Sequence, residues 1–162
     1  MLSLCFNLFS LLCFYSLIIY LDCNYAQITG PNVLIIQSGD FIFGVYANQT
    51  LLPSDDGKWS GSPSCFIFSV TFDLKLPYHG RNPPGAKGKV DHPCAFIAGA
   101  NTLLFGNGDI CLDSGLETGS SHLEGCFGLG LPKTSHATST LLAGVSDFTI
   151  DQLEVWQISS VM

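Results

Sequence analysis

Basic residues are scarce in this chain: six Lys and Arg stand against thirteen Asp and Glu, giving a formal net charge of −7 over 162 residues. Binding to nucleic-acid phosphates needs clustered cations, so that class is excluded. The seven cysteines (5, 13, 23, 65, 94, 111 and 126) contain no C-x-x-C pair. Their odd number and wide spacing do not fit a secreted disulfide scaffold, and a reducing compartment is expected. No Lys or Arg precedes Lys58, so a secretory leader would lack its basic region. After residue 27 no long amphipathic helical pattern occurs, which excludes a helical bundle.

What remains is rich in strand formers. Hydrophobic residues make up 47% of the chain, and 17 Gly with 8 Pro punctuate it, as short strands joined by tight turns require. Asn32–Ile36, the turn Ser38-Gly39-Asp40 and Phe41–Tyr46 read as a hairpin. In the next run Phe66, Phe68, Val70 and Phe72 share one face and are expected in the core, while Cys65, Ile67, Ser69 and Thr71 share the other. Residues 76–93 read as a long Pro/Gly loop. Strands resume at 95–98, 102–105 and 110–112, with Asn107-Gly108 as a hairpin turn. Stretch 135–144 holds at most one short helical turn. In the last strand Phe148 and Ile150 are out of phase with Leu153 and Val155, which predicts a β-bulge at Asp151-Gln152. The fold class is mainly β: a two-sheet antiparallel β-sandwich with few short helices.

Residues 1–21 (MLSLCFNLFSLLCFYSLIIYL) carry no charge, and as a helix they would extend roughly 30 Å, enough for a bilayer core. Three readings stand for the leader, residues 1–26. It is a membrane anchor, a signal-like segment with its small-residue site at Asn24-Tyr25-Ala26, or a gene-model artefact. Residues 27–162 form the domain. The sequon Asn48-Gln49-Thr50 matters only if the leader is translocated.

Four segments carry a resemblance to a known family. Gly30-Pro31 opens an apolar strand that closes on Gly44-Val45-Tyr46-Ala47. Cys65-Phe66-Ile67-Phe68-Ser69 follows a Gly/Ser stretch. Phe105-Gly106 leads through an apolar-x-apolar-Asp strand to Gly119-Ser120-Ser121, and the chain closes on Glu154-Val155-Trp156. In this order they resemble the TLDc domain of oxidation-resistance proteins, over roughly residues 28–158. The resemblance implies a non-catalytic, cytoplasmic regulator linked to oxidative-stress resistance. It also implies a protein partner, the V-type ATPase on endomembranes, and no cofactor. Membrane contact through residues 1–21 is expected from their hydropathy and is not typical of the family. In that family helical sequence normally precedes the Gly-Pro strand, whereas here the apolar leader takes that place. A translocated ligand- or glycan-binding sandwich and a thiol-dependent antioxidant enzyme are the alternatives.

The chemistry-bearing residues favour structure over catalysis. His122 with Cys126 and His92 with Cys94 are separate pairs, short of a zinc set. Asp109, Asp113 and Glu117 recur every four residues, but glycine breakers prevent the helix that would align them, and no EF-hand pattern occurs. Gly119-Ser120-Ser121-His122 is not a nucleophile elbow. Lys75, Arg81, Lys87 and Lys89 read as solvated loop charge. Glu154 and Trp156 are expected to pack and hydrogen-bond on the sandwich.

Overall fold

The computed structural model describes residues 30–50, 61–79, 102–106, 108–127 and 135–158 in full, and the backbone of 14–17 and 96–98. Among them lie eleven strands and one short helix. In chain order the strands are β1 (Phe14–Leu17), β2 (Asn32–Ser38), β3 (Phe41–Ala47), β4 (Phe66–Ser69), β5 (Leu74–Pro77), β6 (Phe96–Ala98), β7 (Thr102–Phe105), β8 (Ile110–Asp113), β9 (Thr118–Ser121), β10 (Asp147–Thr149) and β11 (Gln152–Ile158). Helix α1 (His136–Thr140) precedes β10. One sheet runs β1-β11-β2-β3-β4-β5 and the other β10-β9-β8-β7-β6, every pairing antiparallel. The chain is a β-sandwich.

The core follows from strand alternation. Leu34 and Ile36 of β2, Phe43 and Val45 of β3, Ile67 of β4 and Val155 of β11 are buried on the inner face of the first sheet. Leu103, Phe105, Ile110, Leu112 and Phe148 of the second sheet are buried in the same cluster. The rings of Phe43 and Phe148, one from each sheet, meet edge-on with centroids 5.2 Å apart. Each such ring buries enough apolar area that truncation to Ala costs about 3–5 kcal/mol.

The hairpin β2–β3 and the strands at 102–105 and 110–112 fall where the sequence places them. Four elements differ. The core face of β4 is the Cys65/Ile67/Ser69 face, whereas Phe66 and Phe68 are half-buried outside, and Val70 and Phe72 are exposed at 36% and 47%. Side-chain size did not decide the face. Ile67 sits opposite Val45 and Leu76, and the face those residues share is the one covered by the second sheet.

The phase change before β11 is no bulge. The Ile150 N–H donates to Glu117 O in one sheet's turn, and the next N–H, that of Asp151, donates to Gln37 O in the other sheet. The chain therefore crosses between sheets there, and the inward phase resets. Gly119-Ser120-Ser121 lies in strand β9 rather than in a loop, and Leu74–Pro77 at the head of the Pro/Gly stretch is the edge strand β5.

Within the leader, Phe14–Leu17 is extended and pairs with Val155–Ile158. An edge strand with unpaired N–H and C=O groups offers such a segment a full ladder. No helix among the described residues is long and apolar enough to cross a membrane. Residues 1–13 and 18–29, the loop at 53–57, Trp59, residues 80–93, Asn107 and the 128–131 stretch lie outside the described residues.

Candidate functional site

The motif residues gather in three places and in strand β9. The first is the turn from β7 to β8. Phe105 is fully buried, and the chain then turns at Gly106 with φ +61°. A Cβ at Gly106 would run into the Asp109 carboxylate and the Phe127 ring, so only glycine fits. Asp109 is fully buried, and its carboxylate oxygens accept the N–H groups of Gly125 at 2.7 Å and Phe127 at 2.9 Å. Its backbone carbonyl accepts from His122 N–H, while Gly106 O accepts from Cys126 N–H. Burial pushes the Asp109 carboxyl up to about 6, against the pull of the backbone amides at Phe127, Gly125, Cys126 and Glu124. Asp109 ties loop 122–127 to the β7–β8 turn. The His79 N–H, donating to Cys126 O, brings the end of β5 to the same loop.

The second place is the outer face of the first sheet. Trp156 and Glu154 stand on it with Val33, Ile35, Tyr46, Gly44, Phe66 and Phe68. The Trp156 indole N–H donates to Glu154 Oε2 at 2.8 Å, and the Gln152 amide donates to Oε1 at 2.6 Å. Tyr46 and Phe66 stack at 4.9 Å, and the Lys75 ammonium lies 4.1 Å above the Phe66 ring. Phe68 lies directly over Gly44, where a Cβ would also collide with the Leu34 carbonyl. Glycine is thus required here for close approach, not for its φ.

The third place holds the strand entry. Gly30, with φ +86°, donates its N–H to Thr50 Oγ1 at 2.9 Å, and Pro31 O accepts the Ile158 N–H. The buried Cys65 thiol donates to Asn48 Oδ1 at 3.1 Å, and Gln49 Oε1 accepts the Gly61 N–H. All three sequon side chains therefore bind the protein's own backbone or thiol.

In β9, Gly119 underlies the Phe148 ring and Ser120 pairs with Cys111. Ser121 is fully buried and donates its hydroxyl to Ser139 O at 3.4 Å, while the adjacent His122 is exposed. The structure therefore does not join Ser121 and His122 as nucleophile and base. Asp113 accepts from Glu117 N–H and from Thr118 N–H and Oγ1, which closes the β8–β9 turn and lowers its pKa, the Thr118 hydroxyl most of all. Asp109, Asp113 and Glu117 thus do not converge. No group of three or more His, Cys, Asp or Glu among the described residues is placed to hold a metal ion. The Cys111 thiol is pushed up by burial and by Asp113, the reverse of a reactive thiolate. His92, Cys94, Arg81, Lys87 and Lys89 lie outside the described residues.

Sequence reasoning placed Glu154 and Trp156 on one face but missed Asp109 as a clamp. Its partners lie 16 and 18 residues away, so no local spacing signals them.

These features define a β-sandwich module whose motif side chains brace its turns and outer face. A family model described as the TLDc domain matches residues 20–159, and the chain belongs to that family. It is similar to the MTOR-associated protein MEAK7 of Xenopus laevis, 26% identical over 151 residues, covering 86% of this chain and 29% of that protein. The MEAK7 protein of Gallus gallus is also 26% identical over 151 residues, covering 86% of this chain and 28% of its own length. The chain spans under a third of the length of these relatives.

Proposed function

We propose that this TLDc module is a non-catalytic regulator that acts by docking a protein partner, with the V-type ATPase as that partner and oxidative-stress resistance as the process it serves. One observation carries the reading: the motif side chains Glu154 and Ser121, and Asp109 beside the motif turn Phe105-Gly106, are spent on the protein itself. Asp109 binds two backbone amides, Glu154 binds Trp156 and Gln152, and Ser121 binds a backbone carbonyl. A module built this way contributes surface to a partner rather than groups to a reaction. The relatives' name, MTOR-associated protein, supports a protein-binding role.

The module works in the cytoplasm, at an endomembrane. The thiols of Cys65 and Cys111, which form no disulfide, and the Asn48 Oδ1 that accepts the Cys65 thiol, support that compartment over a translocated sandwich. The raised pKa of Cys111 weighs against a thiol enzyme.

The test is capture of purified V-type ATPase by the immobilised full chain, with an unrelated β-sandwich as control. Saturable capture above the control is expected. Capture equal to the control, by a chain shown folded by circular dichroism, would overturn the partner assignment.

A further inference from the structure

One end of the sandwich exposes apolar side chains on its turns and at the start of β3. Phe72 is 47% exposed, Val70 and Ile42 36% each, and Val145 51%. They belong to one patch. The Phe41 ring lies 5.9 Å from Phe72 and packs against Gly144, the neighbour of Val145. The β4–β5 turn is fastened to the β2–β3 hairpin: Val70 N–H donates to Ile42 O at 2.8 Å, and Ile42 N–H donates to Thr71 Oγ1 at 2.7 Å. The corner between β10 and β11 joins them, since Asp151 Oδ2 accepts the Gly39 N–H at 2.6 Å. These bonds hold the turns in one arrangement, so the apolar side chains are displayed on a rigid frame. Among the described residues these four are the exposed large hydrophobics, and they cluster at this end.

Among the described residues the charged side chains in these turns and at their edges are acidic. Asp40, Asp73, Asp147 and Asp151 are exposed in these turns, and stretches 38–42, 69–74 and 141–153 contain no Lys, Arg or His. The adjacent cation, Lys75, is held over the Phe66 ring. A second copy would bring the same carboxylates against each other, and anionic lipid headgroups would meet the same repulsion. A protein segment with lysines or arginines around an apolar anchor gains on both counts.

We propose that this end docks a partner segment in which an aromatic or aliphatic anchor is flanked by Lys or Arg. The anchor packs between Phe72, Val70 and Ile42, and the cations face Asp40 and Asp73. This rests on the reading of the chain as an interaction module, and it is tested apart from any V-type ATPase. The probe is fluorescent acetyl-Lys-Arg-Leu-Phe-Leu-Arg-Lys-amide, titrated by anisotropy against the full chain. Controls are the peptide with Glu at its four basic positions, and vesicles of phosphatidylcholine and phosphatidylserine.

Saturable binding of the basic peptide is expected, absent for the acidic one and weakened by salt. Combining Val70→Ser with Phe72→Ser should weaken it about tenfold. Pairing Asp40→Asn with Asp73→Asn should weaken it about threefold and flatten the salt dependence; Asn keeps the left-handed backbone of Asp73 (φ +51°), so this variant stays folded. Equal binding of both peptides, no saturable binding, binding unchanged in the Asn pair, or vesicle binding in place of peptide binding would each overturn the proposal. Peptide binding without V-type ATPase capture would leave this docking face standing and remove only the named partner.

Discussion

Trp156 and Glu154, two residues apart on one face of β11, are joined by an indole N–H donating to a carboxylate oxygen at 2.8 Å. The other oxygen is taken by Gln152. Both ends of the carboxylate are occupied, so it braces the half-buried indole against the sheet. Removing it leaves that N–H without its acceptor. Glu154→Ala should cost about 1–2 kcal/mol of stability in urea unfolding, and Glu154→Gln about half as much. The Trp emission should shift more in the Ala variant.

Asp109 predicts an unusual pH dependence. Its carboxyl titrates near 6 when folded against an ordinary 3.8, so the native state holds the proton more tightly than the unfolded chain. Its contribution is fully present below about pH 3.8 and is lost as pH rises through about 6, a difference of up to about 3 kcal/mol. Asp113 has the opposite sign, since its pKa is lowered, and acts at lower pH. Urea midpoints from pH 4 to pH 7 in wild type and Asp109→Asn isolate the effect. The wild type should lose stability across the window relative to the variant. The variant should be less stable at every pH, because its amide turns a donor toward Gly125 or Phe127 N–H.

Gly44 and Gly39 separate crowding from backbone conformation. Gly39 has φ +55° and open space around its Cβ position, so Gly39→Ala should cost only about 1–2 kcal/mol. At Gly44 a Cβ meets the Leu34 carbonyl and the Phe68 ring. Gly44→Ala should cost more than about 3 kcal/mol or block folding, because backbone cannot yield as a side chain does. Thermal unfolding of the two variants ranks them.

Cysteine reactivity follows from burial. Cys65 and Cys126 are buried, and the Cys111 thiol is pushed up. Iodoacetamide at neutral pH should label all three far more slowly than a free thiol, and unfolding in urea should remove the difference. Peptide mapping by mass spectrometry reads each site.

The hairpins were legible because their signals are local: Ser38-Gly39-Asp40 between apolar runs, and Asn107-Gly108 before an apolar-x-apolar strand. Glu154 and Trp156 were legible as a pair because strand alternation alone puts them on one face. The inward face of β4 was not, since Phe66 and Phe68 on one side and Cys65 and Ile67 on the other are all apolar, and the second sheet chooses between them. The crossing at Ile150–Asp151 mimics a bulge, because both reset the alternation. Strand β9 carries Thr, Gly and two Ser, which read as turn residues until Cys111, Leu112 and Ile110 pair with them. The apolar turn Val70-Thr71-Phe72 was misplaced for another reason: the alternation was continued past the end of the strand at Ser69.

A module that regulates a protein partner without chemistry of its own should act on that partner directly. The direct measurement is proton pumping by V-type ATPase vesicles as the full chain is added. A saturable change in pumping rate is expected, one that needs no cofactor and is unaffected by prior alkylation of accessible thiols. An unchanged rate at saturating folded chain, or an effect abolished by that alkylation, would contradict it.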